Sequence, residues 1–256
     1  MALDRDRLMQ VLNRAHTGPV CDVFEWDTRV IPQTIAKYLK KYDLLRTCDP
    51  DNPINTDDDL ADRFFQAGMD TAVEAGMLCT DTQRRIIFDR QEIDAALESA
   101  PSAFSLGEGD EVAEFKFRGV EDETEPIWVS PLSIAMTEDL FLPMLEGIAR
   151  IPEVDCIEGP SVETLWGGTI RAGSPYETLV GKYQAEVTHE ALRRAGREGM
   201  GLYCTGTSPT HYGVLGGYGI PGGYKPERDI VLVLSPVELK TSYENLHKLA
   251  QAYNCG

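Results

Sequence analysis

The sequence predicts an α/β fold in which a helical N-terminal region precedes parallel βα units of the (β/α)8 TIM-barrel type, an incomplete set of about four. Three observations carry this expectation. Before about residue 100, apolar residues recur at helical spacing, and after Pro126 short apolar strands alternate with long helical segments. That alternation implies parallel strands joined by helices. The third observation is length. Only 131 residues run from Pro126 to Gly256, whereas a closed barrel takes about 250. Either the barrel is open or half-built, or the chain stops midway through one. The expected division is 1–125, a helical region with a connector, and 126–256, the first half of a βα barrel.

Each element has its own signal. "IPQTIAKYLKKYDLL" sets apolar residues at helical spacing with lysines opposite. "TDDDLADRFFQAGMDTAVEAGM" opens on a capping Thr56 or Asp57 and keeps an apolar stripe until Gly76. "DRQEIDAALESAP" begins with Asp89 and Glu92 at capping-box spacing and stops at Pro101. Between the last two, "CTDTQRRIIFD" suits a short extended segment. Glu108 to Glu125 is charge-rich and broken by glycine, a surface hairpin or connector.

Beyond Pro126, "PIWVS", "EVDCIEG", "GMGLYC" and "DIVLVL" read as four strands. "TEDLFLPMLEGIARI" reads as a helix capped by Thr137. "SPYETLVGKYQAEVTHEALRRAG" is a longer helix, with Ser174 at the cap, Pro175 at the first turn, Glu177 completing a capping box and Gly196 at the end. Ser235, Pro236 and Glu238 repeat that start signal after the fourth strand. "GVLGGYGIPGGY", Gly213 to Tyr224, is too rich in glycine for a packed element and reads as a mobile, lid-like loop. As a dinucleotide fingerprint it fails, because no strand-to-helix turn surrounds it.

Composition narrows the function. A net charge of -18 repels phosphate backbones and anionic bilayers, so neither nucleic acid nor membrane is an expected partner. Six cysteines stand singly with no C-x-x-C pair, which reads as reduced thiols in a cytoplasmic protein and no zinc site.

In parallel βα folds the ligand sits at the carboxyl ends of the strands. Those positions offer Ser130, Ser133 and Thr137, then Asp155, Cys156 and Glu158, then Tyr203, Cys204, Thr205, Thr207, Ser208 and His211, and after the fourth strand only Ser235. Glu158 ends an apolar strand, where a carboxylate is costly unless satisfied, so it is a candidate acid or base; a surface carboxylate is the plainer alternative. His211 lies in the glycine-rich loop beyond the third strand. Tyr203 is a site residue or a core aromatic, since only one of Tyr203 and Cys204 points inward.

"GMLCTDTQRRI", "EVDCIEG", "SPYETLVGKYQAEV" and "AGREGMGL", in this order and spacing, resemble the monomethylamine:corrinoid protein methyltransferases, from about Phe24 to Thr207 and more weakly onward through "VELKTSYENL". The resemblance implies a (β/α)8 barrel larger than this chain, a homo-oligomer, and transfer of a methyl group from methylamine to the cobalt of a corrinoid (a cobalamin) carried on a small partner protein, with no cofactor bound directly. It also implies a pyrrolysine at the end of a barrel strand, whose electrophilic imine captures the amine. Here that position is Tyr203. A phenol forms no such adduct, yet it offers a hydrogen bond and a π-face to a methylated ammonium.

The expectation is therefore a pyrrolysine-lacking methyltransferase with Tyr203, Glu158 and His211 as catalytic residues and Cys204, Thr205 and Thr207 lining the substrate. Two alternatives stand beside it. One is a catalytically silent or partner-dependent half barrel. The other is an unrelated βα hydrolase or lyase using Glu158 with His211.

Overall fold

Helix signals in the first hundred residues are borne out by the backbone. The computed structural model describes residues 5–255 apart from 52, 120–121, 132–133, 205–209 and 236–237. The chain divides into two compact units, one of Asp4–Ala100 with Ser235–Tyr243, the other built mainly of Pro101–Leu234 with the C-terminal stretch from Glu244.

In the first unit, α1 (Arg5–Thr17) is followed by a π-helical turn that leads into α2 (Ile31–Lys41). Trp26 in that turn is fully buried, and its indole N–H donates to the Glu238 carbonyl at 2.9 Å. Helix α3 (Asp58–Ala75) is capped by the Asp57 carboxylate, which accepts from the Leu60 N–H. Helix α4 (Arg90–Ser99) carries the expected capping box: Asp89 accepts from the Glu92 N–H at 2.8 Å, and Glu92 from the Asp89 N–H at 2.9 Å. Each such cap satisfies backbone donors that a helix start leaves open.

The extended segment is a hairpin, β1 (Met77–Cys79) against β2 (Arg84–Ile86). Its third strand is a departure from expectation. Lys240–Thr241 pairs parallel with β1, so the stretch after Ser235 adds a strand before any helix begins; Pro236 lies outside the described residues. Pairing over so long a sequence separation leaves no local signal.

The second unit opens on the hairpin β3 (Ala103–Leu106) and β4 (Ala113–Lys116). Sequence placed this segment with the N-terminal region, whereas it packs with the βα units. Four strands follow: β5 (Val129–Pro131), β6 (Cys156–Glu158), β7 (Gly201–Cys204) and β8 (Ile230–Val231). They are parallel, and neighbours in sequence are neighbours in space. Helices α5 (Glu138–Ala149), α6 (Pro175–Ala195) and α7 (Tyr212–Gly217) join them, and α8 (Tyr243–Cys255) runs to the end.

Phe141, Leu145, Ile157, Val180, Leu192 and Leu202 form the centre of this unit's apolar core. Alternation along the strands sends Ile157 and Leu202 to the helices and their sequence neighbours to the opposite face. Burying each such side chain is worth roughly 1.5–3 kcal/mol.

Two expectations about α6 and the glycine-rich run are corrected. Ser174 does not accept a capping bond; its hydroxyl donates to the Arg171 carbonyl at 2.6 Å, and Glu177 turns inward instead. The glycine-rich run is packed. Residues Tyr212–Gly217 are helical, Tyr218 and Tyr224 are buried, and the Tyr218 hydroxyl donates to the Asp229 carbonyl at 3.1 Å. The reason is close approach. A Cβ at Gly181 would stand 2.1 Å from the Gly213 carbonyl oxygen, and one at Gly216 2.0 Å from that of Thr178. Lack of side chains lets α6 and α7 touch backbone to backbone.

Candidate active site at the carboxyl ends of the strands

Residues near the carboxyl ends of the four strands make one row. Pro131 pairs with Glu158, Glu158 with Tyr203, and Tyr203 with Ile230. Paired residues of neighbouring strands share a face, so Glu158 and Tyr203 lie side by side, away from the helices. Both are partly exposed. Burial pushes the Tyr203 phenol above its ordinary value, and the neighbouring Cys156 and Glu158 add to this. Glu158 forms no ion pair among the described residues, so its charge is available to a ligand.

Two residues below, on the same face, Cys156 opposes Gly201, and its thiol donates to the Gly201 carbonyl at 3.0 Å. Burial raises that thiol far above the range in which a thiolate forms, which makes Cys156 structural. Gly201 is required by the hairpin, because a Cβ there would stand 2.6 Å from Cβ of Leu106. The hairpin brings Phe115 against Tyr203, with ring centroids 6.2 Å apart at 57°, and Phe104 stacks on Phe115 at 5.1 Å. Tyr203 therefore has both an aromatic ring and a carboxylate among its neighbours.

Cys204 is fully buried within the apolar core on the helix side, because alternation turns it away from Tyr203. Thr205 and Thr207, like Ser133 and Ser208, fall outside the described residues.

His211 is not stacked on the Tyr203–Glu158 pair. It precedes α7, with its ring 4.4 Å from that of His247 at 14° and 4.2 Å from that of Tyr212. Burial lowers its basicity first, and His247 lowers it further, against the raising influence of Glu244 and Glu177. Glu177 was legible only as a capping residue. It is completely buried, and one oxygen, Oε2, accepts both the Gly173 N–H at 2.9 Å and the Thr210 hydroxyl. Its position, in the first turn of the helix after β6, was the one hint of a place at the carboxyl end. His247 had no sequence signal.

Other strongly perturbed groups lie at the amino end of β8. Asp229 is pushed up to about 6 by burial, opposed by the Lys225 and Leu202 N–H groups and by Arg228. His189 is lowered to about 4 by burial, with Arg228 and Lys225 adding to it. Arg228 is buried and donates to Glu108 at 2.6 Å and to the Glu198 carbonyl at 2.8 Å. In barrel-type folds that end serves stability. A cleft of about 540 Å³ in the first unit, between α1 and α4, is crossed by the Arg14–Glu92 ion pair and shares no residue with the strand ends. Among the described residues no three His, Cys, Asp or Glu side chains are grouped to hold a metal, and no helix is long and apolar enough to cross a membrane.

A parallel sheet wound in sequence order, with Glu158 and Tyr203 near its carboxyl edge, is the arrangement of a βα fold. The chain belongs to the monomethylamine methyltransferase MtmB family, whose model matches residues 7–256. Monomethylamine methyltransferase MtmB3 of Methanosarcina barkeri is 33% identical over 197 residues, covering 77% of this chain and 42% of the relative. MtmB of Methanosarcina mazei is 32% identical over the same length and coverage. The crystal structure of the Methanosarcina barkeri enzyme is similar with a TM-score of 0.88 and 29% identity, covering 96% of this chain and 53% of that one. A hydroxylamine complex of MtmB gives the same values. The chain thus spans about half the length of the relatives it matches.

Proposed function

We propose that this chain serves the transfer of a methyl group from a methylated amine to a corrinoid protein, as a pyrrolysine-lacking member of its family with Tyr203 at the substrate. The register of β6 and β7, which seats Tyr203 beside Glu158, carries this reading. A protonated methylamine is a small cation with N–H donors. Glu158 draws and holds the nitrogen, and Tyr203 offers its π-face to the methyl group and its hydroxyl to the nitrogen. His211, Thr205 and Thr207 are assigned to the substrate's path on sequence alone.

The corrinoid, carried by a partner protein, supplies the nucleophile that accepts the methyl carbon. Tyr203 and Glu158 are both partly exposed, which fits a cofactor presented from outside. The residues of this chain then act by binding and orientation. The four strands are read as the first half of a (β/α)8 barrel, in a cytoplasmic homo-oligomer.

A second reading, a catalytically silent or partner-dependent half barrel, is favoured by the sheet edges. Strands β5 and β8 each have one neighbour among the described strands, and an open parallel edge invites pairing. One experiment separates the two. The chain is given methylammonium and a reduced corrinoid protein, with and without a complementary chain from the rest of the barrel, and methylation is followed by absorbance. Methyl transfer under either condition supports the first reading, and its dependence on the complement supports partner dependence. No transfer under both sinks the first reading.

A further inference from the structure

Among the described residues, two buried polar atoms beyond the strand ends lack a partner: Oε1 of Glu177 and Nδ1 of His211. Buried acceptors in native proteins are nearly always satisfied, and an orphaned one costs about 1–3 kcal/mol, more when charged. Both atoms belong to one cluster. Glu177 opens the helix that follows β6. Thr210, which bonds its carboxylate, adjoins His211 in the connection that follows β7. The His211 ring is held in place by His247 on α8.

What completes such a cluster follows from its chemistry. A carboxylate oxygen accepts only, and a neutral imidazole accepts at Nδ1 when Nε2 carries the proton. A single partner that satisfies both atoms must therefore donate at least two hydrogens. Glu177 is fully buried, and among the described residues its carboxylate bonds to an N–H and a hydroxyl and to no cation, so a positive donor satisfies it better than a neutral one. Anions and ligands without hydrogens to donate do not fit.

We propose that Glu177, Thr210 and His211 form a binding site for a small N–H-bearing ammonium, distinct from the Tyr203–Glu158 pair. Methylammonium as the ligand tested rests on the function proposed above; the pair of open acceptors does not. The site holds a methylated amine on its way to Tyr203, or the less methylated amine that leaves.

Histidine-ring NMR tests this on the full chain at pH 7.5. The chain has four histidines, so His16 and His189 serve as internal controls. Methylammonium chloride, tetramethylammonium chloride and sodium chloride are titrated at matched ionic strength. The expected result is a saturable shift of the His211 and His247 resonances with methylammonium alone, persisting in Tyr203→Ala and weakened at least tenfold in Glu177→Gln. No saturable shift, as for a site filled by water, overturns the proposal. So does an equal response to tetramethylammonium, or an undiminished one in a folded Glu177→Gln chain. If Glu177→Gln does not fold, the contrast between the two ammonium ions in the parent decides. Methyl transfer without this shift defeats only the present proposal; the shift without methyl transfer defeats only the function proposed above.

Discussion

Glu158 and Tyr203 are register partners near the ends of adjacent parallel strands, with Cys156 and Gly201 two residues below them on the same face. This places a carboxylate beside a phenol whose ring also meets that of Phe115. The pairing depends on short-range features of two strands and on Gly201, which lets the hairpin lie close.

The carboxylate of that pair is expected to hold the amine by charge. Glu158→Gln keeps the shape and removes the charge, and a charge-assisted bond exceeds a neutral one by about 1–2 kcal/mol. Methyl transfer measured as kcat/KM should fall about tenfold, with most of the change in KM. An unchanged value would remove Glu158 from the site.

Helix contact through glycine makes a prediction about stability alone. Gly181→Ala puts a Cβ against the Gly213 carbonyl, where neither backbone can yield cheaply. It should cost about 3 kcal/mol or more in urea unfolding. Gly147→Ala in α5 meets nothing within 4 Å and should be neutral or stabilising by about 0.5 kcal/mol. Equal effects would contradict the packing of α6 on α7.

Acid sensitivity follows from His189. Its folded value of about 4 lies below the unfolded value of about 6.5, so the unfolded chain binds more protons between them. Stability from this group is present above 6.5 and is lost as the pH falls towards 4. Asp229, raised to about 6, acts oppositely: its contribution falls as the pH rises from about 4 to 6. Comparison with His189→Gln cancels Asp229. Relative to that variant, the parent should lose about 2 kcal/mol between pH 7 and pH 4, less than the full linkage value because the ring is only half-buried. Parallel pH curves would show that His189 is not held neutral.

Much of this was legible in the sequence. The four parallel strands, the Asp57 cap and the Asp89–Glu92 box were readable because each rests on residues a few positions apart. Period-2 alternation identified the strand "GMGLYC" but carried no phase, so Tyr203 and Cys204 were both candidates and only Tyr203 faces away from the core. Glycine was ambiguous for a physical reason. The missing Cβ that permits mobility also permits backbone contact, and at Gly213–Gly217 contact prevailed. Lys240–Thr241 beside β1 and the hairpin against β7 are long-range pairings without local signals. The inward turn of Glu177 was hidden because a capping box and a buried carboxylate share one sequence pattern.

The most direct test of the Tyr203 assignment is methyl transfer by Tyr203→Ala and Tyr203→Phe chains, alone or with a complementary chain, under the condition in which the parent is active. The predicted result is loss of transfer in Tyr203→Ala with the parental unfolding midpoint, and substantial retention in Tyr203→Phe, which keeps the π-face. A folded Tyr203→Ala chain that transfers methyl groups at the parental rate would contradict it.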